Sequence, residues 1–151
     1  MVSQDYEDLF KALNAARVKY LVVGAHAVAF YAAPRFTKDL DVWIPAALND
    51  PHRIYEALRA FGAPLRGITP EDFLDPKMIL QIGVAPVRID ILVSLPGVSI
   101  KEAWNHRQRS RYGKTPINVL GRDDLIQAKK ASNRPEDRLD LKRLEKRRRP
   151  S

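Results

Sequence analysis

Residues 22–44 read VVGAHAVAFYAAPRFTKDLDVWI, and three consecutive patterns stand in that stretch. Tyr20-Leu21-Val22-Val23 is a short β-rich run that stops at Gly24. Ala25 to Ala33 is small and apolar up to Pro34, which predicts a buried helix. After the polar Arg35-Phe36-Thr37-Lys38, the segment Asp39-Leu40-Asp41-Val42-Trp43-Ile44 alternates acids with apolar residues and ends at Pro45, as a strand does. Residues two apart on a strand share a face, roughly 6.7 Å apart along the chain. Asp39 and Asp41 therefore project together while Leu40 and Val42 face the other way. Two acids on a strand that otherwise reads as core are unfavourable unless a cation meets them. Mg²⁺ suits them, since it takes oxygen ligands from one or two carboxylates and from substrate phosphates. The plainer alternative pairs Asp39 with Lys38 or Arg35 at the strand entry.

The anomaly recurs in Val87-Arg88-Ile89-Asp90-Ile91-Leu92-Val93, where Asp90 interrupts a run that reads as a central strand. Three such acids can hold two ions about 3.5–4 Å apart, one at the attacking hydroxyl and one at the leaving group. The alternative is that Asp90 pairs with Arg88 or lies at an edge. Gly24 adds a strand-to-helix turn, where backbone N–H groups and the positive end of a helix can receive a phosphate. His26, His52 and His106 fit no spacing for a metal site or a catalytic triad.

Around these segments the chain alternates helix and strand. Tyr6, Leu9, Phe10, Leu13 and Ala16 predict an amphipathic helix over 3–17 with Ser3 as its N-cap. A second helix is expected over 51–61, closed by Gly62, and a short helical turn at Thr69-Pro70-Glu71-Asp72. Residues 78–82 and 87–93 read as an antiparallel pair. Ser99 to His106 predicts a short helix, Ile117 to Leu120 a short edge strand, and Asp123 to Ser132 and Glu136 to about Arg147 two closing helices.

The 151 residues make one domain's worth of chain. The net charge of +8 is unevenly placed: residues 1–100 carry 10 Lys/Arg against 11 Asp/Glu, and the remainder 16 against 7. The excess thickens at Lys142, Arg143, Lys146, Arg147, Arg148 and Arg149, a basic tail suited to phosphates or equally to a solvated helix end. With no cysteine, disulfides, thiolate metal sites and cysteine nucleophiles are excluded. No apolar run approaches the roughly 20 residues of a membrane span, and the acidic, amphipathic start is unlike a signal peptide. A soluble, cytoplasmic protein without membrane contact is expected.

A Gly turn, a short helix, an acid-x-acid strand and a later strand with a third acid resemble the nucleotidyltransferase superfamily related to DNA polymerase beta. Here the pattern stands as Val23-Gly24-Ala25, Asp39-Leu40-Asp41 and Asp90. More narrowly, VVGAHAVAFYAAPRFTKDLDVWI, QIGVAPVRIDILVSLPGVSIKEAW and VLGRDDLIQAKKASNRPEDRLDL look like the AbiEii-like toxin nucleotidyltransferases and their small relatives. The resemblance implies an α/β (α+β) nucleotidyltransferase fold, a mixed sheet flanked by helices. It implies a core over 1–120, a C-terminal helical extension over 121–147 packed on it, and a basic tail over 148–151. It also implies that Asp39, Asp41 and Asp90 ligate two Mg²⁺ ions, with Mn²⁺ able to substitute, and that Asp90 helps deprotonate the acceptor. Gly24 and Ala25 would lie at the phosphates of a nucleoside triphosphate, with Arg35, Thr37 and Lys129 as further nucleotide-binding residues. For Lys129 a structural role stands beside that one. Arg134, Asp137 and Asp140 match the group's C-terminal pattern and are expected to tie the last helix to the core. Ala25 departs from the superfamily's Gly or Ser; it keeps the backbone N–H but loses the hydroxyl.

The function so implied is transfer of a nucleoside monophosphate from the triphosphate to a hydroxyl. The acceptor is a tRNA or other RNA 3′ end reached through the basic last third, a protein, or a small molecule. A toxin–antitoxin role with a cognate partner protein, and a homodimer, belong to the same expectation. The alternatives are a weak or inactive module of this fold that binds RNA or a protein, and a phosphate-ester hydrolase using the same acids.

Overall fold

The computed structural model describes residues 2–32, 39–84 and 87–146. Helix α1 (Gln4–Ala15) starts at Ser3, whose hydroxyl accepts from the Tyr6 amide at 3.4 Å. Its buried stripe of Tyr6, Leu9, Phe10 and Leu13 has the three-to-four spacing of an amphipathic helix. Strand β1 (Leu21–Val23) is buried throughout and passes at Gly24 into α2 (Gly24–Tyr31). Strand β2 (Asp39–Trp43) follows, then α3 (Pro51–Phe61), which Asp50 caps, Pro51 opens and Gly62 closes in the left-handed conformation. A 3₁₀ turn over Pro70–Leu74 carries a capping box between Thr69 and Asp72.

The next two strands, β3 (Ile79–Val84) and β4 (Val87–Leu92), pair antiparallel as expected. After α4 (Ile100–Asn105) come β5 (Gln108–Tyr112) and β6 (Thr115–Val119), then α5 (Arg122–Ser132) and α6 (Pro135–Lys146). The six strands form one sheet in the order β3-β4-β2-β1-β6-β5. It is mixed: β2 runs parallel to β4 and β1 parallel to β6, while the remaining neighbours are antiparallel.

Two corrections concern the last hairpin. The strand expected at 117–120 as an edge is an inner strand, and β5, which the sequence reading lacked, covers it. Gln-Arg-Ser-Arg-Tyr has almost no apolar content, so no hydrophobic alternation marks β5. The available signal is the Gly113-Lys114 turn, a two-residue loop with Gly113 at φ +60° as a type II′ hairpin requires.

The sheet's two faces divide the labour. Val22, Leu40, Val42, Ile89 and Ile91 lie on one face and are buried in the core, where Phe10 of α1 stacks on Tyr20 at 5.7 Å. The opposite face carries Val23, Asp41 and Leu92, and with α5 and α6 these line a cavity. Among the described residues, no helix is long and apolar enough to cross a membrane.

Candidate active site

The cavity begins at the β1–α2 turn. Register places Val23 beside Asp41 on the antiparallel neighbour, so the turn passes directly over that carboxylate. Gly24 has φ +69°, and a Cβ there would run into Asp41 Oδ2 and come within 3.1 Å of the Asp41 Cβ. Both the backbone conformation and the contact exclude a side chain at this position. No side chain caps α2, whose first turn includes Ala25. Its leading N–H groups are the kind that receive anions.

The parallel pairing of β2 with β4 sets Asp41 opposite Asp90 and Asp39 opposite Arg88. Residues opposite in register share a face, so all three acids project to the cavity side, as the alternation implies. Asp41 is pushed up from 3.8 to about 6, first by burial, then by the charges of Asp90 and Asp39; Lys129 and Arg134 oppose the rise. Asp90 does not face Asp41 unaccompanied. Arg88 Nε and Nη2 donate to its two carboxylate oxygens at 3.1 and 3.2 Å, so the pairing named above as the alternative for Asp90 is present.

Hard oxygen donors that repel one another on one face, each of them half-buried, are a donor set that suits Mg²⁺. The fit is of acids brought near one another rather than of a closed cage. Among the described residues, no three His, Cys, Asp or Glu side chains stand close enough to hold an ion together.

Opposite the acids lies the α5–α6 pair. The cavity, of about 200 Å³, has apolar walls that include Leu92, Leu95, Leu125 and Ala128, and polar residues Asp41, Lys129, Arg134 and Asp137. Lys129 is 7% exposed and reaches Asp137 at 3.2 Å and Asp140 at 3.1 Å. An ammonium has three donors, so these two contacts leave one for the cavity. Arg134 closes the network with its amide at 3.0 Å and its Nε at 2.9 Å from Asp137 Oδ2. Burial alone would raise the Asp137 carboxyl. The hydrogen bonds from Arg134, Ser132 and Lys129 outweigh it and hold the group well below the carboxylate range. Asp137 and Asp140 thus join α6 to α5, as expected of the C-terminal pattern.

The structure brings Gly24, Asp41 and Lys129 to one cavity and sets Asp90 beside Asp41 in register, with Asp39 two residues away on the same face of β2. Ala25 follows in the first turn of α2. Arg35 and Thr37 lie outside the described residues. One neighbour of the acids was legible only as core: Tyr6, placed by its α1 spacing. Its hydroxyl donates to the Arg88 carbonyl at 3.2 Å and its ring meets His26 edge-on at 5.6 Å. Burial and the negative charges nearby, Asp39 and Asp41 among them, raise its phenol. Nothing local in the sequence marks that contact, because α1 and β4 are far apart in the chain.

A mixed sheet with a glycine turn over an acid-x-acid strand, and a third acid in register on the parallel neighbour, is the nucleotidyltransferase fold, and solved structures share it. A lincosamide antibiotic adenylyltransferase, LnuA, bound to lincomycin, is similar with TM-score 0.61 and 12% identity, covering 95% of this chain and 97% of that one. A putative nucleotidyltransferase from Thermotoga maritima is similar with TM-score 0.60 and 16% identity, covering 98% and 97%. The antibiotic-resistance factor ANT(2″)-Ia, in complex with adenylyl-2″-tobramycin, is similar with TM-score 0.57 and 12% identity, covering 92% and 84%. The model of the family described as "Nucleotidyl transferase of unknown function (DUF2204)" matches residues 2–149, and the chain belongs to that family. No curated protein matches the chain in sequence.

Proposed function

We propose that this nucleotidyltransferase moves a nucleoside monophosphate from a nucleoside triphosphate to a hydroxyl acceptor, with Asp39, Asp41 and Asp90 as the acids of the reaction. The observation that carries the proposal is Asp41 itself: a half-buried carboxylate under the Gly24 turn, in register with Asp90 and lining a cavity with Lys129 and Arg134. The apolar walls are suited to base and ribose, and the free donor of Lys129, the Arg134 guanidinium and the α2 amides are suited to phosphate oxygens. Asp39 and Asp41 would hold Mg²⁺, with Mn²⁺ as a substitute and Asp90 joining them. Held there, the metal would supply charge neutralisation at the triphosphate and would make the acceptor hydroxyl a better nucleophile. The protein's own share is positioning and charge complementarity, which dominate phosphoryl chemistry of this kind. Asp90 is the group on this face suited to take the acceptor proton. Arg35 and Thr37 are proposed as triphosphate ligands on the strength of the sequence resemblance.

Two structural neighbours are named for adenylyl transfer to antibiotics, which favours a small-molecule hydroxyl as acceptor. An RNA 3′ end and a hydroxyl of a partner protein are the other acceptors such a site would serve. The second reading is an inactive binding module, favoured by Ala25 and by Arg88 occupying both oxygens of Asp90.

The test is incubation of the protein with each radiolabelled triphosphate, Mg²⁺ and, in separate reactions, total RNA, the protein alone and hydroxyl-rich small molecules. Label transferred by the native chain and not by Asp41→Asn supports the proposal and names the acceptor class. Transfer that survives Asp41→Asn refutes it, and an absence of triphosphate binding by calorimetry selects the inactive module.

A further inference from the structure

Arg88 stands two residues from Asp90 on β4, and its side chain lies along the strand so that both carboxylate oxygens are taken by one guanidinium. Such a fork satisfies a carboxylate in charge as well as in hydrogen bonding. The same guanidinium lies opposite Asp39 in register and feels the charges of all three acids. Its backbone is held apart from this duty, since the Arg88 carbonyl accepts from Tyr6. The side chain is 36% exposed while that of Asp90 is 15% exposed, so the guanidinium can swing into solvent and the carboxylate cannot follow.

A single positive charge therefore already sits at the third acid, in a place where the proposed chemistry calls for a divalent cation. The fork takes one lone pair on each oxygen and neutralises the charge a divalent ion would draw on, so the two cations compete for Asp90. We infer that Arg88 is a built-in counter-cation, whose fork on Asp90 competes with a divalent ion for that carboxylate and lowers the affinity of the site for metal. This rests on the metal-dependent reading above. It assigns to Arg88 a positioning role that sets how tightly the site takes metal. The pairing has a further use while the site is vacant: it keeps Asp90 from adding its full repulsion to Asp41 across the parallel pair.

The test uses the full chain and Mn²⁺ alone, followed by electron paramagnetic resonance of the free ion, for the native protein, Arg88→Gln and Arg88→Lys. Removing the competing fork should tighten Mn²⁺ binding about tenfold in Arg88→Gln, the scale of one charge-assisted pair. Arg88→Lys, which keeps the charge but loses the fork, should fall between. Mg²⁺ should also raise the melting temperature of Arg88→Gln by more than it raises that of the native protein. Mn²⁺ affinity unchanged or weakened in a folded Arg88→Gln overturns the inference and leaves Arg88 as a brace for Asp90. If Arg88→Gln does not fold, Arg88→Lys gives the same decision by the sign of its change. Absence of Mn²⁺ binding in every form refutes the metal-dependent reading itself, an outcome distinct from equal binding in all three.

Discussion

Replacing Asp41 by Asn should make the metal-free protein more stable while abolishing its activity. The Asp41 carboxyl is pushed up from 3.8 to about 6, first by burial, with Asp90 and Asp39 adding to the rise. The folded state therefore binds this proton more tightly than the unfolded state does. That favours folding below about pH 4, where the group is protonated in both states, and the benefit is lost as pH rises through about 6. At pH 8 a rise of about two units corresponds to roughly 3 kcal/mol of destabilisation, at 1.36 kcal/mol per unit. Asn keeps the shape and removes the charge, so Asp41→Asn should recover up to about 3 kcal/mol at pH 8, or a melting temperature higher by roughly 6–12 °C for a chain of this size. The assay is denaturant unfolding in EDTA at pH 8 and pH 5 for both proteins. The native chain should gain about half of this contribution, roughly 1.4 kcal/mol, between pH 8 and pH 5, and the variant should lack that gain. A variant less stable than the native chain at pH 8, with the native pH slope intact, refutes the account of Asp41 as a desolvated, mutually repelled acid.

Three further outcomes follow from the same geometry. Gly24→Ala must adopt φ near +69° and displace the Asp41 carboxylate, so it should lower stability by at least about 1–2 kcal/mol and suppress triphosphate binding, read by melting and by calorimetry. Lys129→Met leaves Asp137 and Asp140 buried without their shared cation, and should cost about 3–5 kcal/mol in urea unfolding. Asp137 is depressed, so its contribution is present above the ordinary carboxylate pKa and is lost as pH falls through its folded value; the acid limb of a stability profile should be shallower in Asp137→Asn.

The proposed active-site face was legible because each part of it leaves a local trace. An acid in an apolar strand is anomalous wherever it occurs, and the period of two fixes which acids share a face, so Asp39, Asp41 and Asp90 could be grouped before any contact was known. Gly24 was legible as a turn, but its closeness to Asp41 depends on the β1–β2 register, which nothing within residues 22–44 states. The fork of Arg88 was present in the sequence only as one of two readings, since a strand neighbour at i+2 can equally point to solvent. Lys129 was ambiguous for a similar reason: its role turns on α6 returning to α5. Strand β5 escaped notice because its residues are polar at an edge, where burial imposes no pattern.

The parallel pairing of β2 with β4 bears on how the chain reaches its native state. Antiparallel neighbours such as β5 and β6 can zip from a tight turn, whereas β2 and β4 are separated by α3 and the whole of β3 and need a crossover. Ordering that intervening chain is unfavourable until the strands have met, so contacts of this kind form slowly. Asp41 and Asp90 become neighbours only when that pairing is made. The repulsion between them thus arises only with that long-range pairing, and the fork from Arg88, which lies within β4 alone, offsets part of one of the two charges.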